Sequence, residues 1–347
     1  MTERILIVAP AWVGDAILSE PLIALLRQRF ADAAIDVLAP AWCGAVYARM
    51  RGVESIVTNP FGHGRFDLAG RRALGRQLGS ATPRYTQAYV LPNSWKSALV
   101  PWLAGIPERI GYQGEARYGL LNDRRHLGHG APERLVDRFA ALASPRGTPP
   151  SSVPAPVLVP DDAARAAAVQ RLGLATVSPI AILCPGAEYG PAKRWPATHF
   201  AALAQRLGGD GYHVWLIGSP KDAAEADAIM AAYGADAGPG PSADSGSVVN
   251  LIGKTDLGTA IDLLSLADVV VSNDSGLMHA AAAVGVRLVA LFGSSSPGFT
   301  PPLSPLARVA RIDIECSPCF KRDCPLGHLR CLRELSPDAV YDLARRD

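Results

Sequence analysis

The chain has 347 residues, of which 49% are apolar and 19% charged, and its net charge is +2. That length accommodates two ordinary domains with sizeable cores, and the composition excludes a disordered chain. The small net charge excludes a nucleic-acid binder held by charge over its whole surface, although the distribution is uneven: residues 1–160 carry 18 Lys and Arg against 12 Asp and Glu, and residues 161–347 carry 16 against 20.

Arg4 opens a short apolar run, RILIVAP (4–10), that reads as a first buried strand rather than a secretory signal. No run approaches 18 uncharged apolar residues, so nothing is expected to span a membrane. Without an export signal, the six cysteines are expected to be reduced in a cytoplasm. From Asp15 to Phe30, Ile17, Leu18, Leu22, Leu25 and Leu26 make one helical stripe. AIDVLAP (34–40), SIVTNP (55–60) and QAYVLP (87–92) read as further strands, each ended by proline. The arginine-rich residues 65–84 read as the solvated face of a surface helix. Residues 144–160 hold six prolines in 17 positions, a stiff linker that cannot be helix.

Beyond the linker, strand and helix patterns alternate clearly. AILCPG, YHVWLIGS, VVNLIG, DVVVSNDSG and RLVALFG are strands, and HFAALAQRLGGDG, KDAAEADAIMAAYG, DLGTAIDLLSLA and LMHAAAAVG are helices. Residues 235–247 read as a loose loop. Such alternation implies βαβ units and parallel sheets. The expected architecture is therefore α/β, with two doubly wound Rossmann-like domains, 1–160 and 161–347, facing a central cleft. Ligands sit at the carboxyl ends of strands in such sheets, so the residues just after each strand are the candidates.

After the first strand, PAWVGDAIL has neither GxGxxG nor GxxxxGK[ST], which argues against a dinucleotide or P-loop site. Asp15 there is either a helix-terminal carboxylate or a general base. After AILCPG, Lys193 and Arg194 are either solvated or a phosphate clamp. NDSGLMHAAAAVG is the strongest signal. Asn273, Asp274, Ser275 and Gly276 stand at a strand-to-helix junction, where the free N–H groups of Ser275, Gly276 and Leu277 favour an anion and His279 lies in the first turn. Asp274 is a helix cap or a ligand to a sugar hydroxyl. Near the end, Cys316, Cys319, Cys324 and Cys331 are spaced C-x2-C-x4-C-x6-C around His328. They read as packed thiols, with a structural Zn²⁺ as the alternative.

PAWVGDAILSEPL, DVLAPAWC, YVLPNSWKSALVPWLAGIPERIGYQGEARYGLLND, CPGAEYGPAKRWP, NDSGLMHAAAA and FGSSSPGFTPPLS together resemble glycosyltransferase family 9 over nearly the whole chain. Within that family they resemble the branch that adds the second heptose of a lipopolysaccharide core, with addition of the first heptose as the alternative. The resemblance implies a GT-B fold with an N-terminal acceptor domain and a C-terminal nucleotide-sugar domain. It implies a metal-independent, inverting transfer of L-glycero-D-manno-heptose from ADP-heptose to lipid A–Kdo–heptose, with no cofactor. Carried over by motif, Asp15 is the general base and Lys193 the phosphate-binding lysine, with Asp274, Ser275, Gly276, Leu277 and His279 in the donor loop. Glu188 and Asp222 complete the donor set, and Lys96, Arg109 and Arg117 are candidates for acceptor contact. Closure of the cleft is expected to assemble the site. The basic first half suits an anionic acceptor and a peripheral position on the inner membrane of a Gram-negative bacterium. The rivals from other classes are a nucleotide-sugar epimerase or binding protein on the same scaffold, and an NAD-dependent oxidoreductase, which the missing GxGxxG opposes.

Overall fold

A computed structural model describes residues 3–62, 66–128, 134–177, 179–236 and 248–345. The chain divides into two compact units, Met1–Leu158 and Val159–Asp347. The first unit carries one sheet of β1 (Arg4–Val8), β2 (Ala34–Ala39), β3 (Ser55–Thr58), β4 (Gln87–Val90), β5 (Glu108–Tyr112) and β6 (Asp123–Arg125). All pairs are parallel, in the order β3-β2-β1-β4-β5-β6. The second unit repeats the plan with β7 (Ile180–Cys184), β8 (His213–Leu216), β9 (Val248–Asn250), β10 (Val269–Asn273), β11 (Leu288–Leu291) and β12 (Ala307–Ala310), in the order β12-β11-β10-β7-β8-β9. Both are the doubly wound 3-2-1-4-5-6 order, so each sheet has one point where the winding reverses: between β1 and β4, and between β7 and β10.

The sequence explains why these strands are central. Ile5, Leu6 and Ile7 of β1, the whole of β7 and all five residues of β10 are buried. Helices cover both faces of each sheet, so these strands read as continuous apolar runs rather than alternating ones. In the second unit Trp195 is fully buried, stacks edge-on to Phe200 at 4.9 Å between ring centres and donates its indole N–H to Leu335 O at 2.9 Å. Each such ring removes on the order of 150–250 Å² from water.

Several expectations need correction. The stripe at 15–30 is two helices, Val13–Leu18 and Glu20–Arg29, with Ser19 between them. Pro21 is the cause: it has no N–H to offer Ile17, and its ring would collide with that carbonyl in an unbroken helix. Of residues 235–247, the first two extend the helix Ala223–Asp236, and the rest lie outside the described residues. Arg71, within the supposed solvated helix face, is buried; it lies over the Phe61 ring at 4.2 Å and donates to Lys96 O at 3.1 Å. Strands β5, β6 and β12 add to those read from the sequence. Among the described residues no helix is long and apolar enough to cross a membrane.

Candidate active site

In the second unit three neighbouring strands, β7, β10 and β11, send their following loops to the point where the winding reverses. The loop after β10 begins with Asp274. Its backbone N–H donates to Leu291 O at 3.1 Å, and its buried carboxylate takes Lys193 Nζ at 2.5 Å. Ser295, from the loop after β11, donates to the same Oδ2. Lys193 closes a short 3₁₀ turn, Pro191–Lys193, and lies 5.1 Å from the centre of the Tyr189 ring. Asn273 braces that approach: its amide donates to Pro185 O at 2.7 Å, and its carbonyl oxygen accepts Trp195 N–H at 3.1 Å. Asp274 is therefore not the helix cap. Ser275 is the N-cap residue of the helix Gly276–Val284, and the first N–H groups of that helix have no intrahelical acceptor. An ammonium beside an open helix N-terminus is a site for the phosphates of a nucleotide.

His279 lies in the first turn and is buried. Burial, opposed by the Asp274 charge and reinforced by the Lys193 charge, brings its pKa down to about 4. It is a neutral imidazole at neutral pH, so the positive charge at this site belongs to Lys193. Asp222 is also buried; its Oδ2 accepts the Ser219 backbone N–H at 2.9 Å and the Ser219 hydroxyl at 2.8 Å. A Cβ on Gly186 would fall 2.5 Å from that oxygen, which is why the strand-end loop is glycine there. Glu188 is exposed and paired with Lys221 Nζ at 2.5 Å. Ser295 was missed from the sequence. Its signal is positional: it follows the strand that adjoins β10.

In the first unit Asp15 is the third residue of the helix Val13–Leu18, just past the carboxyl end of β1. The Cys43 thiol is pushed up to about 11, first by burial and then by the Asp15 charge. The carboxylate therefore stands close to the turn that follows β2. Lys96 lies in the 3₁₀ turn Trp95–Ala98 after β4, at the same carboxyl edge. The other two acceptor candidates are not brought to this place. Arg109 pairs in register with Ala88 near the amino end of β5, and its guanidinium is taken by Leu120 O at 2.6 Å and Ile106 O at 2.5 Å. Arg117 is fully buried and donates to Pro92 O at 2.6 Å; desolvation, partly offset by Glu115, lowers its pKa to about 10. Both brace the scaffold through backbone carbonyls, and Arg117 bears on this edge through the loop after β4 that it holds.

The four C-terminal cysteines and His328 line one small cavity beside Ala192 and Ser294. All six cysteines are free, and among the described residues no three His, Cys, Asp or Glu side chains form a metal-holding group. Backbone N–H groups, that of Leu329 foremost, hold the Cys324 thiol below its usual pKa. The segment supports the site. Phe320 O accepts the Tyr189 hydroxyl at 2.9 Å, Arg322 O accepts Ala192 N–H at 3.0 Å, and Phe320 N–H donates to Ser294 O at 2.6 Å.

Residues 71–330 match the family model described as glycosyltransferase family 9 (heptosyltransferase). The chain is 43% identical to lipopolysaccharide heptosyltransferase 2 of Escherichia coli K12, over 98% of this chain and 97% of that one. A solved structure of E. coli ADP-heptose lps heptosyltransferase II is 41% identical, with a TM-score of 0.84 and coverage of 98% of this chain and 97% of that one. A family 9 glycosyltransferase from Veillonella parvula, 20% identical, shares the fold with a TM-score of 0.83 over 98% of this chain and 96% of that one. The chain belongs to glycosyltransferase family 9, the heptosyltransferases.

Proposed function

We propose that this heptosyltransferase moves heptose from ADP-heptose onto the first heptose of a lipopolysaccharide inner core, with inversion at the anomeric carbon. The observation that carries the reading is the Lys193–Asp274 pair beside the open start of the helix Gly276–Val284, in a chain 43% identical to an enzyme of that name. A single displacement needs a base on the acceptor side and positive charge on the leaving diphosphate. Lys193 and the helix N-terminus supply the second, and no metal is required for it. His279 supplies a neutral hydrogen-bonding group. Asp274 fixes the ammonium, and Ser275, Gly276 and Leu277 offer backbone N–H groups. Glu188 and Asp222 border the same loops.

Asp15 is proposed as the base. A carboxylate with an ordinary pKa of about 3.9 is ionised at neutral pH and takes the hydroxyl proton as the new bond forms. Lys96 is the acceptor-side cation that remains at this edge. The excess of Lys and Arg in residues 1–160 favours a phosphorylated, lipid-anchored acceptor and peripheral contact with the anionic inner membrane.

The test uses ADP-heptose with and without a deacylated inner-core saccharide ending in heptose. Transfer that requires the saccharide supports the reading, and release of ADP or an epimer without it overturns it. Asp15→Asn preserves the shape of the side chain and removes the proton acceptor. It is expected to lower kcat by about 10²–10⁴-fold with ADP-heptose affinity within a few-fold. A folded Asp15→Asn protein with near-unaltered kcat rejects Asp15 as the base.

A further inference from the structure

The six tryptophans divide unevenly between the units. Trp195 and Trp215 of the second unit are fully buried, whereas Trp12, Trp42, Trp95 and Trp102 of the first are exposed. Exposed indole is costly to keep in water, and rings clustered on one edge, unlike scattered single ones, point to an occupant. Two of them stand beside Asp15. Trp12, 52% exposed, is the extended residue immediately before the helix Val13–Leu18, three positions before Asp15 in the same loop-to-helix junction. Trp42, 53% exposed, lies in the turn that follows β2, the strand paired with β1. Its indole N–H donates to Ala11 O at 2.8 Å, which pins the ring to the loop that carries Trp12 and Asp15. Its neighbour Cys43 directs its thiol to the same Ala11 O at 3.6 Å, so the turn after β2 is tied at two points to the loop that carries Trp12 and leads to Asp15.

We propose that Trp12 and Trp42 are the binding platform for the acceptor saccharide, whose C–H faces stack on the indoles while its hydroxyl meets Asp15. This deepens the acceptor reading above and rests on it. The occupant is a sugar ring rather than a bilayer for two reasons. A membrane-interface tryptophan keeps its N–H for the headgroup region, whereas that of Trp42 is already committed to the protein, so the ring offers only its faces. The rim also holds a carboxylate, which an anionic lipid surface disfavours and a neutral sugar hydroxyl does not. Because the Trp42 ring is fixed in advance, stacking loses little side-chain freedom.

The experiment measures binding of the deacylated inner-core saccharide by calorimetry, and of ADP in parallel, for Trp12→Ala, Trp42→Ala and the corresponding phenylalanine variants. Each alanine variant is expected to weaken saccharide binding about tenfold or more, the loss usual for a central aromatic anchor. The phenylalanine variants should stay within about threefold, and ADP affinity should be unchanged in all four. Saturation-transfer NMR on the unaltered protein should connect the sugar C–H protons to indole resonances, and this keeps the test independent of any variant's folding. Saccharide affinity unchanged in both alanine variants overturns the platform. So does a loss of binding to vesicles containing anionic phospholipid with saccharide affinity intact, which would make the rim a membrane contact. Failure of Asp15 as base reads differently: it shows in the kcat of Asp15→Asn and leaves these binding constants in place.

Discussion

Lys193→Met separates the observed duty of the lysine, fixing Asp274, from the one proposed for it, meeting the donor phosphates. The Asp274 carboxylate is 5% exposed, and its Oδ2 is held by Lys193 Nζ and Ser295 Oγ. Without the ammonium, a buried carboxylate is left with one hydroxyl on that oxygen. Breaking a buried pair from one side costs about 3–5 kcal/mol. The Lys193 side chain is 17% exposed, so water softens the loss and the lower end, about 3 kcal/mol, is expected. For a unit of this size that is roughly 6–12 °C in the melting transition. The double variant Lys193→Met/Asp274→Asn removes both charges and should recover at least half of the loss, because the penalty lies in the stranded carboxylate rather than in the missing pair. ADP affinity should fall about tenfold or more in both variants, and stability regained by the double variant should not restore it. Calorimetric unfolding and ADP titration of the three proteins decide the matter. A Lys193→Met protein that melts like the unaltered one, or a double variant no more stable than the single, refutes the reasoning.

His279 is buried as a neutral imidazole with its pKa brought down from 6.5 to about 4, so the unfolded chain takes up its proton first on acidification. Its contribution to stability is present above pH 6.5 and is lost as the pH falls towards 4, about 3 kcal/mol in full, and His279→Gln should flatten that part of the urea-denaturation profile; a stability gap between the two proteins that does not change with pH contradicts this. Gly190 lies against the cysteine-rich segment, where an added Cβ would stand 2.7 Å from Arg322 O. Gly190→Ala should shift the Lys193 loop and weaken ADP binding several-fold in a titration, and an ADP affinity equal to the unaltered protein's would show that the loop does not depend on that contact.

The central strands were legible in the sequence because a strand buried on both faces is written as an unbroken apolar run, as in β1 and β10. Asp15, Lys193 and Asp274 are candidates because each follows such a strand closely, where a parallel sheet collects its ligands. The pairing of Lys193 with Asp274, 81 positions apart, was not legible, since only the adjacency of β7 and β10 creates it. The same reason hid Ser295. Arg109 and Arg117 show the opposite case. In the sequence they are two cations in a basic half. In the fold each guanidinium donates to a backbone carbonyl, a use that composition cannot distinguish from ligand binding. The rims differ in the same way: nothing in the spacing of six tryptophans separates the two in the core from the four at the surface.

The cysteine-rich segment gains its meaning from where its backbone is tied. From residue 311 to 329 it contains no helix or strand, so its peptide groups need partners elsewhere. It finds several of them on the loops after β7 and β11: Ala192 N–H and the Tyr189 hydroxyl on one side and Ser294 O on the other, where the Ser317 hydroxyl also donates to Gly293 O. Those loops carry Lys193 and Ser295, the two donors to Asp274. One irregular segment thus fixes both partners of the buried carboxylate from outside, while Asn273 fixes the Lys193 loop from within the sheet. A site held on two sides is arranged in advance, so if it takes the nucleotide proposed for it, little binding energy is lost to ordering it.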